Sequence, residues 1–250
     1  LTGEVFHDLE LGIRYHKDSE DRFQWNDGYA MQNGTMVLTS SGVPGTQDNR
    51  IANAEALALH AIYKLKYKGL TLTPGIRMES IDLYNLNYGT ADPTRTGANL
   101  TERDNHAKVW LPGVGANYKI NNYLSFYGGI HKGFAPPTNT PGTDAERSTN
   151  FELGTRFAHG KLSGEVVGYF NNYSNLLGSD LAASGGSGTL GQFNAGEAHV
   201  KGIELQLNYQ VLNEGGKFRL PISFGYTLTD TEFRNDFGST SSWGTITKGD

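Results

Sequence analysis

The residues able to do chemistry are scattered along this chain. Its seven histidines (7, 16, 60, 106, 131, 159 and 199) show no tight spacing of the kind that holds a metal ion. His7 and His16 are an odd number of residues apart, which puts them on opposite faces of a strand. Cysteine is absent, so there is no disulfide framework, thiolate metal site or cysteine nucleophile. Asp18, Glu20, Asp21 and Asp27-Gly28 form an acidic run, but they lack the alternating Asp/Asn spacing of a calcium loop and read as a solvated acidic loop. Gly113-Val114-Gly115 lies in an alternating run and precedes no helix, which argues against a phosphate cradle. No Gly-x-Ser-x-Gly or similar nucleophile motif occurs. What remains is a set of isolated Arg, Lys and His side chains with no motif that assigns them a reaction.

The elements that must position them follow from composition and period. The chain has 250 residues, enough for one large all-β domain or two small ones. Lys plus Arg is 21 against 26 Asp plus Glu, a net charge of −5, which lacks the basic footprint of a nucleic-acid binder. No run of ~18 apolar residues occurs, so no transmembrane helix is expected. Leu1-Thr2-Gly3-Glu4 does not read as a signal peptide. Glycine is abundant at 33 residues, with 13 Tyr and 12 Phe, the composition of strands and turns. Leu57, Leu59, Ala61, Tyr63, Leu65 and Tyr67 alternate with Ala58, His60, Ile62, Lys64 and Lys66, the period of a strand. Residues 151–157, 203–209 and 218–229 alternate in the same way. About nine strands are predicted, at roughly 4–17, 53–67, 70–83, 106–119, 122–133, 149–158, 161–176, 197–211 and 217–231, many as long as the ~9–11 residues of a tilted membrane strand.

The connections alternate in length. Segments 18–52, 84–105, 134–148 and 177–196 are long, whereas Lys68-Gly69, Asn121, His159-Gly160 and 212–216 are short turns. This is the asymmetry of outer-membrane barrels, with long extracellular loops and short periplasmic turns. The apolar face would then meet lipid, and the face with His60, Lys64, Glu204, Gln206 and Asn208 a wet lumen. Trp110 and Tyr118 share a parity and lie ~20 Å apart in height, near the ~25 Å apolar band. They read as girdle aromatics or as ordinary strand aromatics. Glu152 and Glu204 fall on polar faces. Gly168 and Gly202 would weaken their strands unless barrel curvature or a close approach requires them.

Several motifs carry a family resemblance. His131-Lys132-Gly133-Phe134-Ala135-Pro136-Pro137 is followed by Glu146-Arg147-Ser148-Thr149-Asn150-Phe151-Glu152-Leu153-Gly154-Thr155-Arg156, then by Gly168–Leu176, Asn194-Ala195-Gly196 and Lys201-Gly202-Ile203-Glu204-Leu205. Upstream stand Leu72-Thr73-Pro74-Gly75-Ile76-Arg77-Met78-Glu79 and the segment Ala107–Tyr118. Over roughly 53–231 this order resembles the barrel of TonB-dependent outer-membrane receptors, and within them it is most similar to the ferric-citrate receptor type. The resemblance implies an all-β, transmembrane antiparallel barrel of about 22 strands, of which this chain holds about nine. It also implies a bacterial outer-membrane transporter of ferric chelates and no enzyme. Iron is present only within the transported chelate and there is no resident cofactor. The expected partners are the chelate, outer-membrane lipid and the TonB–ExbB–ExbD complex, acting through an N-terminal plug. The chain departs from the family in showing no plug, no TonB box and no terminal aromatic strand. It therefore reads as an internal part of one barrel domain over 1–250. In such a protein the Asn-x-Ser/Thr triplets at Asn33, Asn99 and Asn172 carry no glycosylation meaning.

Ferric chelates are usually anionic, so the implied vestibule needs cationic and hydrogen-bonding groups. The candidates are Arg50 at the end of a long loop, His60 and Arg77 on lumen-facing parities, and His131, Lys132 and Arg147 flanking the 134–148 loop. For each, a structural role stands beside ligand contact, and Arg77 has an acidic neighbour as a further option. Loops 18–52 and 177–196 are candidate lids. Two other readings share the strand pattern: a passive porin or autotransporter barrel without a plug, and a soluble all-β binding protein with a second sheet over its apolar face.

Overall fold

The alternating runs form one antiparallel sheet. The structure, a computed structural model, describes residues 5–137, 139–176, 196–212, 218–238 and 245–249. Its strands are β1 Val5–Gln24, β2 Gly28–Gln32, β3 Thr35–Ser40, β4 Asp48–Tyr67, β5 Leu70–Asn87, β6 Thr101–Lys119, β7 Leu124–Ala135, β8 Glu146–His159, β9 Leu162–Ser174, β10 Ala198–Gln210, β11 Pro221–Phe233, β12 Phe237–Gly238 and β13 Thr245–Ile246. Nine of them make the main sheet in the order β1-β4-β5-β6-β7-β8-β9-β10-β11. The pairs β2–β3 and β12–β13 stand apart as small two-stranded units. The sheet is open, with β1 and β11 at its edges. Short turns join β4 to β5, β6 to β7 and β8 to β9 at one end, where the β10–β11 connection, partly outside the described residues, also lies, and the other connections lie at the opposite end.

The strands run further toward the loop end than the apolar alternation does. Alternation fades before Asn53 and after Leu83, yet β4 begins at Asp48, β5 ends at Asn87, β6 begins at Thr101 and β8 at Glu146. The ladder Arg50↔Asn87, Ala52↔Asn85, Ala54↔Leu83 continues without interruption, because backbone pairing does not depend on side-chain polarity. Periodicity reports only the part of a strand that meets hydrocarbon. The segment 25–47 also holds structure that alternation does not reveal, the β2–β3 hairpin, closed by Asn33 (φ 50°) and Gly34 (φ 80°). Asn-Gly between Met31 and Met36 is a type I′ hairpin signal. Among the predicted loops, residues 177–195 lie outside the described residues.

Register makes the two faces consistent across the whole sheet. Tyr15 pairs with Leu57, Leu57 with Ser80 and Ser80 with Lys108. At the other edge, Leu228 pairs with Ile203, Ile203 with Gly168, Gly168 with Leu153, Leu153 with Gly128 and Gly128 with Ala116. Leu9, Leu11, Ile13, Trp110, Tyr118, Phe126, Leu153, Ile203, Phe224 and Leu228 therefore share one face, where all are exposed. No second sheet covers that face among the described residues, so the soluble two-sheet reading has no support. Trp110 and Tyr118 both point out from it.

The apolar stripe is slanted. Its loop-end limit is Tyr15 on β1, in the row of Lys108, and Leu228 on β11, in the row of Ala116. The limit drifts those eight residues of β6 over the eight steps between nine strands, about one residue per strand. With a rise of ~3.3 Å and a strand spacing of ~4.8 Å, a level membrane band then requires strands tilted by about 35°. That is the tilt of a closed transmembrane barrel.

The opposite face packs through rings laid on glycines. Tyr127 of β7 lies across Gly154 of β8, its register partner, where a Cβ would overlap the ring. Its hydroxyl donates to Glu165, Arg156 Nε donates to the same carboxylate at 2.9 Å, and the Arg156 guanidinium stacks 4.2 Å from the Tyr127 centroid. Tyr169 covers Gly202 in the same manner and shares a 2.8 Å hydrogen bond with Thr229. The close approach that a strand glycine needs is thus met at Gly202 by a neighbouring ring, while Gly168 has open space beside it. Gly154→Ala is expected to lower stability by about 1–3 kcal/mol through overpacking. In a Tyr127→Ala background the same change should cost close to nothing. A double-mutant cycle on detergent-solubilised protein measures the difference, and equal costs in the two backgrounds would refute the ring-on-glycine packing.

Candidate functional site

The inward face carries the polar side chains, and alternation decides which candidates reach it. Arg50, His60, Arg77 and His131 fall on inward positions of β4, β5 and β7. Three of them meet. His60, Arg77 and His131 line one groove of about 510 Å³, together with Leu111, Gly113 and Glu152. His131 and Glu152 also border a second groove of about 470 Å³ with Asn150 and Glu204. The two grooves share His131 and Glu152.

His60, Arg77 and Arg50 each have an acidic neighbour. The His60 ring lies across Gly12 and its Nε2 is 3.2 Å from Glu10 Oε1. Arg77 Nε donates to Glu79 Oε1 at 2.5 Å, a pair two residues apart on the inward side of β5, and Glu79 is buried. Arg77 thus has the acidic partner that the sequence offers at Glu79. The Arg50 side chain is only 12% exposed and its Nη2 is 3.6 Å from Asp48 Oδ2. Arg22, its cross-strand neighbour, reaches the same carboxylate at 3.5 Å. Arg50 is therefore embedded in the loop-end scaffold rather than presented to an open vestibule.

Lys132 and Arg147 are placed elsewhere. His131 points inward, so Lys132, the next residue of the same strand, points outward. Arg147 belongs to β8, which starts at Glu146 rather than at the predicted 149, and alternation applies to it as well. It pairs with Phe134, and Lys132 pairs with Thr149. Neither joins the groove.

A residue that sequence reading passes over organises the loop end. Arg95, in the connection 88–100, has φ 56° and pins that connection to β1 and β4. Its Nη1 donates to Asp21 Oδ2 at 3.0 Å, its Nε to Asn49 Oδ1 at 2.7 Å and its Nη2 to the Arg22 carbonyl at 3.3 Å. The guanidinium lies 4.7 Å from the Phe23 ring centroid and 5.3 Å from that of Tyr88. Asn49, 1% exposed, donates onward to the Asp92 carbonyl at 2.7 Å. The Asp92 carboxylate accepts from the Thr96 and Gly97 amides at 2.9 and 2.8 Å. Asp-Pro-Thr-Arg-Thr-Gly at 92–97 is a turn-rich string, but only the fold shows that its arginine reaches back across some 74 residues.

The inward face can hold and orient a polar ligand through charge and hydrogen bonds. Among the described residues no group of three His, Asp or Glu side chains could hold a metal ion. A tilted sheet with an apolar outside, a polar inside and loops gathered at one end defines a membrane β-barrel of the outer-membrane class. Residues 1–248 match the model of the TonB dependent receptor-like β-barrel family, and the chain belongs to that family. Its backbone is similar to solved structures of three such receptors. The unliganded ferric citrate transporter FecA is 20% identical, with a TM-score of 0.69, covering 94% of this chain and 34% of that one. The siderophore receptor PiuA of Acinetobacter baumannii is 18% identical, with a TM-score of 0.73, covering 100% and 39%. The ferric yersiniabactin uptake receptor FyuA of Yersinia pestis is 17% identical, with a TM-score of 0.63, covering 92% and 33%. The chain thus spans between a third and two-fifths of the length of these structures.

The Asp92 turn gives a pH test. Amide donation, first from Thr96, holds the Asp92 carboxyl below the ordinary aspartate value. A lowered native pKa means that its contribution is fully present above the unfolded value of ~3.9 and is lost as pH falls through the native value. Protection factors at Thr96 and Gly97, measured against the intrinsic exchange rate at each pH, should therefore hold at neutral pH and fall only below the usual carboxylate range. In Asp92→Asn the protection should fall several-fold at neutral pH and converge with wild type once the wild-type carboxyl is protonated. A wild-type transition at or above the ordinary aspartate value would contradict this account.

Proposed function

We propose that this chain is an internal part of the barrel of a bacterial outer-membrane receptor that takes up a ferric chelate, with ferric dicitrate the first to test. The observation that carries the reading is the inward groove where His60, Arg77 and His131 converge inside a barrel of the TonB-dependent receptor family. A ferric chelate presents anionic or polar oxygens at its surface. Imidazole and guanidinium donors suit those oxygens, and the nearby Glu79 and Glu152 keep the groove from being a purely cationic trap. The names of the similar structures, a ferric citrate transporter and two siderophore receptors, support the same class of cargo.

Uptake is transport, with no covalent step, and iron is cargo within the chelate. Loops at the open end admit the ligand, and the β2–β3 hairpin in the long 25–47 connection closes over it. Energy reaches the site from the TonB–ExbB–ExbD complex through a plug domain of the full-length protein. Family membership counts against a plugless porin or autotransporter.

The test is titration of the full-length receptor with ferric dicitrate, a ferric catecholate and a ferric hydroxamate, by calorimetry. One of the three should bind, and His60→Ala combined with His131→Ala should weaken that chelate by about tenfold or more, the worth of one charge-assisted hydrogen bond. Arg50→Ala should leave the affinity unchanged and instead lower the stability of the loop end, because its guanidinium is held by Asp48. Failure of all three chelates to bind would overturn the assignment.

A further inference from the structure

Above the slanted apolar stripe runs a ring of outward-facing charges. On several strands the first charged outward residue beyond the stripe is bonded by a side chain of the next strand, and Asp82 lies diagonal to Lys108 in the β5–β6 register. Lys17 pairs with Glu55 at 2.5 Å on β1 and β4. Asp82 contacts His106 at 2.7 Å on β5 and β6. Lys201 pairs with Asp230 at 3.0 Å on β10 and β11. Between these matched pairs lie three cations on three consecutive strands, Lys108 on β6, Lys132 on β7 and Arg147 on β8. All three are exposed, and none has a carboxylate partner within 4 Å among the described residues. Lys132 Nζ donates to the Thr149 hydroxyl, which leaves its charge uncompensated.

Their level is that of the polar border of a bilayer. Lys108 is the next outward residue beyond Trp110, which is 59% exposed on the apolar face, and Trp marks the headgroup region of membrane proteins. Lys132 is the next outward residue beyond Ile130, and Arg147 stands opposite Phe134. Register sets Lys132 and Arg147 on adjacent strands two residues apart, a Cα separation of about 7–8 Å. Two flexible cations at that spacing, with a hydroxyl between them, can close on one tetrahedral anion. Long basic side chains at this depth keep their stems on apolar surface and their heads in the polar layer. An anionic headgroup supplies the missing negative charge, and its acyl chains lie on the apolar rows below.

We propose that Lys108, Lys132 and Arg147 form a binding site for the phosphate headgroup of a lipid in the leaflet at the loop end. The inference rests on the barrel spanning a membrane and not on the identity of its cargo. The test is native mass spectrometry of the detergent-solubilised full-length receptor mixed with phosphatidic acid, with phosphatidylcholine or with inorganic phosphate. The comparison is between wild type, the triple variant Lys108→Gln, Lys132→Gln and Arg147→Gln, and the control Lys17→Gln with Glu55→Gln, which removes a matched pair. Wild type and control should retain phosphatidic acid in preference to phosphatidylcholine. The triple variant should lose that retention by about a hundredfold, from ~1 kcal/mol for each of three basic residues near an anionic membrane surface. Single Lys132→Gln should give a graded loss, which preserves the test if the triple variant folds poorly, as judged by its heat-modifiable migration. Equal retention by wild type and variants would overturn the site. So would equal retention of the two lipids, or displacement of the lipid by inorganic phosphate at matching concentration. Chelate binding does not enter this readout, so a failure here is distinct from a failure of the transport assignment.

Discussion

Backbone groups in hydrocarbon have nothing but each other to bond, and an unpaired N–H or C=O there costs several kcal/mol. Within the nine-stranded sheet the register runs through that zone from edge to edge. Once the ladder is fixed, so is every side chain's face. A slip of one residue on β5 would carry Arg77 and Glu79 into lipid and turn Ile76 and Met78 toward the lumen. The same constraint generates the slant, because a level apolar band can be laid across tilted strands only if each strand shifts its apolar residues relative to the last. The shift of about one residue per strand is a property of the barrel from which these strands are drawn, visible although the sheet itself is open.

The inward face solves a different problem. Polar groups there must be satisfied without forming a conventional core, and the buried apolar cluster is small, Ala107, Val109 and Ala145. The structure uses cross-strand partners instead. Rings of Tyr127 and Tyr169 lie on glycines of the next strand and anchor their hydroxyls on Glu165 and Thr229, while Arg77 and Arg156 each take a nearby carboxylate. These devices stiffen the wall and pair much of its charge within the wall itself.

Alternation is a strong signal wherever one face is apolar and the other polar, which is why the nine membrane strands, their faces and the order of long and short connections are legible in the residues alone. The signal ends where both faces become wet. Residues 48–52, 84–87 and 101–105 pair as strands, but in water neither face needs to be apolar, and nothing in Asp-Asn-Arg-Ile-Ala marks a strand. The Asn33-Gly34 turn was readable as a hairpin but competes with a glycosylation triplet spanning the same residues. Candidate placement obeys the same rule. His60, Arg77 and His131 follow from parity inside well-marked strands. Lys132 and Arg147 were grouped by nearness to a loop, a criterion that alternation overrides. Arg95 was not legible, because its partners Asp21, Asn49 and Phe23 come together only through the fold.

The loop end shows how a receptor rim can be firmer in one place than in another. Connection 88–100 is tied by Arg95 to two strands and closed on itself through Asp92. Connection 136–145 is tied to β6 by Asn105 donating to the Thr143 carbonyl at 2.9 Å, with Ala145 buried beside Ala107 and Val109. Among the described residues the strands β2 and β3 pair only with each other. The base of their hairpin is stitched by Gly42 N–H to Asp27 Oδ1 at 2.7 Å and by Gln47 N–H to the Gln24 carbonyl at 3.0 Å. Local opening free energy scales with buried contacts and protected hydrogen bonds. By that measure 88–100 is a firmer connection than 25–47, and the difference follows from where the arginine is placed and not from loop length, since 88–100 is also long and is held fast.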